Sequence, residues 1–346
     1  MANLETEILD DVIARSRRKM LALGGAALAG LVLGSPKVAE AASYSDSDIL
    51  NFALNLEFLE ANFYYLCAFG CTIDKPNAQA ISAGAPSAGI PITGSVGTAG
   101  TVSGGAKVSF STIQAASYAN ETAIEEGKHV LFLQSALGSS AVAQPAINLG
   151  SSWQTLGQAA LGSAGTGFSP YVNDDTFLIG AYVFEDVGVT AYHGAAALLT
   201  SSSNLTAAAG ILAVEAYHAG LIRTTINAVD STGSLGLISD TNSISSLRAT
   251  LAGQVAPSPA SAYDTAPDDF GLATFSVALA GASSVMASRI VDADATNVIA
   301  FSRTTSQVLN IVTGGASYNA STKALTSPAT GVFFPSGLNA GPNGFK

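Results

Sequence analysis

The chain is poor in charge, cysteine and tryptophan. Of its 346 residues only 11% are charged, and it has two cysteines and one tryptophan. Two cysteines cannot make a disulfide framework, so the fold must rest on a core. With 48% apolar residues a sizeable core is available, and disorder over most of the length is excluded. Basic residues are also scarce. Lys and Arg number 14 against 25 Asp and Glu, a net charge of −11, so nucleic acid is excluded as the main partner. An acidic surface attracts cations, which suits metal handling and equally serves solubility. Long apolar runs are few. Residues 270–288 carry no charge, but their Gly, Ser and Thr content predicts a buried segment rather than a membrane span.

The first forty residues read as a targeting signal. Arg17-Arg18 within Ser16-Arg17-Arg18-Lys19-Met20-Leu21 is a twin-arginine start, and the Gly/Ala-rich apolar stretch from Leu21 to Leu33 is too short to cross a bilayer. Ala39-Glu40-Ala41 offers a cleavage site, which makes residues 1–41 a Tat-type signal peptide with no membrane span after its removal. Export to the periplasm or the extracellular space is the expectation. That pathway carries folded proteins, so a metal can be loaded beforehand. Cys67 and Cys71, in Cys-Ala-Phe-Gly-Cys, can then pair if Gly70 ends the helix, or remain as small buried residues.

Four helices are predicted at about 46–69, 111–137, 174–199 and 205–229, from apolar residues at helical spacing and from Ser, Asp and Asn at the starts. A Gly/Ala/Ser-rich insertion, about 75–108, separates the first two and reads as a hairpin or ordered loop. A longer crossover, roughly 139–172, joins the second and third. The short 200–204 turn makes the last two antiparallel neighbours. Residues 42–230 thus read as an all-α four-helix bundle with one long crossover, the ferritin-like connection. Residues 231–346 change composition and read as a mixed extension packing on the bundle, with a helix around 295–312 and Phe-Phe-Pro in an ordered loop.

The chemistry lies in Glu126-Gly127-Lys128-His129 and Glu215-Ala216-Tyr217-His218. Residues three apart share a helix face, so a carboxylate and an imidazole can reach one metal ion together. Glu-x-x-His on two helices, with one Glu from each of the other two, is how dinuclear carboxylate bundles are built. The first helix supplies Glu57, preferred to Glu60, which is either an extra ligand or an exposed side chain. The third supplies Glu185, preferred to Asp186, which points to another face. Tyr64 and Tyr192 each follow their Glu by seven residues, two turns along the same face, so the bundle reads as two related halves. Both phenols are candidates to hydrogen-bond ligands, to act in redox chemistry, or simply to pack. Glu125 is expected to face solvent and His193 to be a hydrogen-bonded core residue. Arg223 is a candidate to balance the charge of the site. No Glu or His follows His218, so these ligands are confined to the bundle. Four carboxylates with two neutral imidazoles match two divalent cations, and an oxygen-rich set of this kind suits two iron ions or two manganese ions.

The runs at 54–64, 185–196 and 214–223, with Arg303-Thr-Thr-Ser-Gln and Phe-Phe-Pro near the end, resemble the ferritin-like domain of the desiccation-related protein family. The resemblance covers most of the chain after the signal but not the insertion. It implies the bundle and a metal site, without a defined shared reaction. The expectation is di-iron redox chemistry with O2 or peroxide as the small-molecule substrate, in envelope stress protection. A manganese catalase-like or small-molecule oxidase activity, and a non-catalytic stress protein, are the alternatives. A homo-oligomer is left open.

Overall fold

The protein is described from a computed structural model, which covers residues 44–253, 269–272, 274–278, 280–281, 285–294, 297–315, 318–319, 324–325 and 333–341. The signal peptide and cleavage site read at residues 1–41 lie outside the described residues.

Helix α1 spans Asp46–Phe69. It starts where Ser45 accepts from the Asp48 amide while the Asp48 carboxylate reaches back to the Ser45 amide, which satisfies two end donors at once. It ends at Gly70, whose φ of 73° is the left-handed conformation that glycine adopts without penalty. Nearly every residue of α1 after Asp48 is buried, so this helix lies inside the molecule rather than on its surface. Helix α2 (Ala78–Ala83) is short. Helices α3 (Ile113–Leu137), α5 (Asp174–Ala196) and α6 (Ser202–Val229) start at Thr112, Asn173 and Ser201, each accepting from an amide of its first turn. Helix α3 packs along α1 and α6 along α5, with α1 and α5 meeting between the two pairs. The four-helix core follows the sequence expectation, with ends shifted by three residues or fewer.

The crossover holds structure that the sequence pattern does not reveal. It contains strand β2 (Ile147–Leu149) and helix α4 (Ser151–Leu161). Strand β1 (Val102–Gly104), in the Gly/Ala/Ser-rich insertion, pairs in parallel with β2, Val102 opposite Ile147 and Gly104 opposite Leu149. The insertion therefore closes on a strand distant in sequence, not on itself as a hairpin. Helix α7 (Leu237–Leu251) was also unforeseen, because Ser, Thr and Asn are weak helix formers.

Two expectations for the extension are corrected. Residues 274–277 (β3) and 285–288 (β4) form an antiparallel hairpin with Thr274, Phe275 and Ser276 exposed, so the uncharged 270–288 stretch is not a buried segment throughout. Among the residues of this stretch whose burial is described, 270–272 and Ser288 at the end of β4 are the buried ones. The last helix, α8, spans Thr305–Val312, its start fixed by a Thr304–Gln307 cap rather than near residue 295. The Phe-Phe-Pro loop is ordered as expected. Phe333 stacks edge-on to Trp153 of α4, with ring centres 5.0 Å apart.

Buried charge ties the extension to the bundle. Asp186 of α5 accepts from Arg223 of α6 at 3.0 Å and from Arg248 of α7 at 3.1 Å. Arg248 also meets Asp269 at 3.0 Å, and Asp269 pairs with Arg303. Arg303 donates to Thr190 of α5 at 2.9 Å, and its carbonyl lies where a side chain on Gly194 would be, which is why only glycine fits there. Among the described residues α6 is long and apolar enough to cross a membrane by length and composition, yet it buries Glu215, His218 and Arg223 against its neighbours, as a bundle helix does.

Candidate metal centre

Each bundle helix sends its acidic residue to one place. Glu57, Glu126, Glu185 and Glu215 are no more than 1% exposed, and His129 and His218 are 9% and 5% exposed. Their donor atoms form two overlapping groups. Glu57, Glu126, His129 and Glu215 bring one ligand atom each within 4.8 Å of one another, and so do Glu126, Glu185 and His218. Glu126 belongs to both. Its Oε2 lies 3.3 Å from His129 Nδ1 and its Oε1 lies 3.0 Å from His218 Nδ1. The two imidazole centres are 6.5 Å apart. All six residues singled out in the sequence converge here. Glu126 serves both groups, and the Glu-x-x-His pair on α3 does not address one position alone.

The remaining oxygens define what fits. Among the described residues Glu57 Oε2, Glu126 Oε1, Glu185 Oε2, both Glu215 oxygens and His218 Nδ1 are buried with no aligned hydrogen bond, although Glu126 Oε1 and His218 Nδ1 stand 3.0 Å apart. An orphaned carboxylate oxygen in a core costs several kcal/mol, roughly, unless a cation or proton meets it. So many such atoms within two tight donor groups make a candidate cation site, and two divalent ions would neutralise four carboxylates.

Tyr64 and Tyr192 are tied to the site crosswise. Tyr64 of α1 donates to Glu185 Oε1 of α5, and Tyr192 of α5 donates to Glu57 Oε1 of α1. Each phenol satisfies one oxygen of its carboxylate and leaves the other turned inward. Burial, then the adjacent carboxylate, pushes both phenols well above their ordinary range, which keeps them protonated donors.

Before any cation binds, protons compensate the charge. Burial disfavours an imidazolium at His129, but Glu57 and Glu126 outweigh it and push the ring up to about 12. His218 is raised as well, by Glu185, Glu125 and Glu126 against burial. Burial and the charges of Glu126, Glu57 and Glu185 raise Glu215 well above the carboxylate range.

The neighbouring expectations divide. Glu60 is buried at 6% exposure, not a surface side chain. Glu125, expected in solvent, is only partly exposed and its Oε2 meets His218 Nε2 at 2.7 Å, which orients the ring. Arg223 does not balance the centre; it is engaged with Asp186 and with the carbonyls of Phe270 and Ile290. Asp186 turns away from the ligands, as its helix position predicts. His193 is a core histidine, its Nδ1 3.0 Å from the Phe301 carbonyl. Cys67 and Cys71 are both free thiols, Cys67 buried. Gly188 was missed in the sequence. A Cβ there would stand 2.1 Å from Glu215 Oε2, so its bare backbone makes room for the ligand. Its place one turn after Glu185, facing α6, was the available signal.

The sequence profile of the ferritin-like domain matches residues 45–228, from the cap of α1 to the end of α6. The desiccation-related protein PCC13-62 of Craterostigma plantagineum is 34% identical over 210 residues, covering 59% of this chain and 61% of that protein. The chain therefore aligns with about three-fifths of that relative's length. No solved structure matches the chain.

Proposed function

The chain belongs to the ferritin-like domain family, and from that premise we propose that it is an exported dinuclear metal protein that carries out redox chemistry with O2 or peroxide. One observation carries the proposal: two donor groups share Glu126 and turn unpartnered buried oxygens toward each other. Glu57, His129 and Glu215 would hold one ion, Glu185 and His218 the other, with Glu126 between them. Two iron ions fit this oxygen-rich set, with two manganese ions as the alternative. Such a pair, when bound, supplies two one-electron changes, as reduction of dioxygen to peroxide or of peroxide to water requires.

The protein's own groups do the rest. Tyr64 and Tyr192 fix the outer oxygens of Glu185 and Glu57, so the inner oxygens are aimed before a ligand arrives. Glu125 holds His218 by Nε2, which leaves Nδ1 facing the centre. To hold a cation His218 would give up its Nδ1 proton, while Glu125 keeps the Nε2 proton hydrogen-bonded and so holds the ring in the tautomer that ligates. Apolar residues of α1 and α5 keep bulk water from the carboxylates.

Export by the Tat pathway is part of the proposal and rests on Arg17-Arg18, the apolar run after them and Ala39-Glu40-Ala41. A role in envelope stress protection follows from removal of iron and oxidant there. The name of the desiccation-related relative favours a second reading, a stress protein that acts by its stability and not by turnover. Elemental analysis of protein purified without added metal or chelator separates the readings. About two iron atoms per chain, with O2 or peroxide consumed, supports redox chemistry. Two manganese with peroxide dismutation supports the catalase-like alternative. Iron-loaded protein that turns over neither oxidant sinks the redox reading, and folded protein that takes up no Fe(II) favours the structural one.

A further inference from the structure

Beside the carboxylate cluster lies a cavity of about 60 Å³, enclosed by α1, α4, α5, α7, α8 and the Phe333 loop. Its lining is almost wholly apolar. At its outer end stand Leu156, Leu161, Leu247 and Leu251, all partly exposed. At its inner end stand Glu60 and Gly188. Both belong to the edge of the metal centre. Gly188 packs on Glu215 Oε2, and the Glu60 carboxylate is close enough to Glu215, Glu126, Glu57 and Glu185 to feel the charge of each. The space therefore leads from the partly exposed face of α4 and α7 to the donor cluster.

We propose that this cavity is a dioxygen chamber, an apolar pocket that admits O2 and passes it between Glu60 and Gly188 to the dinuclear centre while excluding hydrogen peroxide. The inference rests on the dinuclear redox reading above and selects between its two oxidants.

Polarity decides the class of occupant. The polar lining groups other than Glu60 are already engaged. Trp153 Nε1 donates to Tyr171 at 3.2 Å, Arg248 donates through Nη1 and Nη2 to the Tyr182 carbonyl, Asp186 and Asp269, and its Nε, which makes no aligned hydrogen bond, is ion-paired with Asp269 at 3.0 Å. Among the described residues no hydrogen bond or ion pair reaches the Glu60 carboxylate, which leaves one acceptor group for the whole space. A water needs two to four polar partners to stay in such a place. Hydrogen peroxide carries two donors and four lone pairs, and each hydrogen bond it forfeits on leaving water opposes its entry. Dioxygen makes no such bonds in water and forfeits none.

Size narrows the class further. A water-sized molecule needs roughly 10–15 Å³ on this measure, and an apolar cavity of about 150 Å³ takes benzene. A space of about 60 Å³ accepts a few diatomic molecules and is too small for an aromatic ring.

Xenon tests the chamber without any chemistry, since it is apolar and makes no hydrogen bonds. Crystals of the metal-loaded protein under xenon pressure should show xenon between α4, α5 and α7. Two variants fill the space from different sides, Ala160→Phe and Val183→Phe, and neither residue is a candidate ligand. With two irons per chain retained, each should slow oxidation by O2 by about tenfold and leave oxidation by hydrogen peroxide unchanged. Xenon absent from the wild-type cavity overturns the proposal. So do O2 and peroxide rates that fall together, or an O2 rate that does not fall in the variants. Wild-type protein that consumes neither oxidant instead refutes the redox reading, and the dioxygen assignment falls with it even where xenon binds.

Discussion

Tyr64 of α1 donates its hydroxyl to Glu185 of α5, and Tyr192 of α5 returns the same bond to Glu57 of α1. The two halves thus hold each other's ligands, not their own. Replacing Tyr64 with Phe frees Glu185 to turn its outer oxygen away. Tyr64→Phe should keep two metal ions per chain at saturation but weaken binding roughly 10–100-fold, as loss of a ligand's hydrogen-bond partner does. Isothermal titration with Fe(II) under anaerobic conditions reads this directly. Unchanged affinity would reduce the phenol to packing.

Glu126 is the one residue common to both donor groups. Glu126→Ala should therefore abolish binding of both ions, whereas His218→Ala should leave the position of Glu57, His129 and Glu215 fillable. Elemental analysis should find near zero against about one ion per chain. Equal losses in the two variants would contradict a shared carboxylate.

Glu215 is buried among Glu126, Glu57 and Glu185, which raises it well above the carboxylate range. Glu215→Gln removes a repelled carboxylate, so the metal-free variant should melt higher than metal-free wild type. It should also lose most of the stabilisation that metal gives. Calorimetry with and without metal gives both signs.

Gly188→Ala places a methyl group on Glu215 Oε2. The carboxylate must move, so metal content should fall while the overpacking costs about 1–3 kcal/mol and leaves the helices folded. Circular dichroism beside metal analysis separates the two effects.

Asp46 supplies the pH dependence. Burial opposes its ionisation, but the Thr200 amide, the Asn204 side chain, the Ser201 amide and the Thr200 hydroxyl outweigh burial and hold its carboxyl at about 2, below the usual value near 3.8. A lowered carboxyl stabilises the fold above the usual value, and that contribution is lost as pH falls from near 3.8 through about 2. Asp46→Ala should lower the melting temperature by roughly 2–4 °C at pH 7, and the gap should close as the pH approaches 2. A gap that stays constant down to that pH would remove the carboxylate from the account.

The bundle and its donor set were legible because their signals are local and periodic. Glu126 and His129, or Glu215 and His218, declare a shared face by spacing alone, and the seven-residue interval from Glu57 to Tyr64 and Glu185 to Tyr192 declares a repeat. The crosswise exchange of the phenols was not legible, since it depends on how α1 and α5 lie against each other. Helix α4 carries Trp153, Leu156 and Leu161 and α7 carries Leu237, Ile244, Leu247 and Leu251, but the Ser, Thr, Gln and Asn between them are weak helix formers, and the packing of these apolar side chains settles the helices. The partners of Arg223 were misread for a related reason. Eight residues after Glu215 places Arg223 on the same side of α6, but Asp186 and the carbonyls of Phe270, Gly271 and Ile290 lie nearer at that level of the bundle.

Each donor group draws on both helix pairs, α1 with α3 and α5 with α6. Glu57, Glu126 and His129 come from α1 and α3 and need Glu215 from α6; Glu185 and His218 come from α5 and α6 and need Glu126 from α3. A bound ion is then a cross-tie between two segments whose only covalent link is the crossover at 138–173, and it restrains the chain as a staple would. Slow amide exchange should spread with loading across all four long helices together, because neither helix pair can close its half of the lattice of ligands alone.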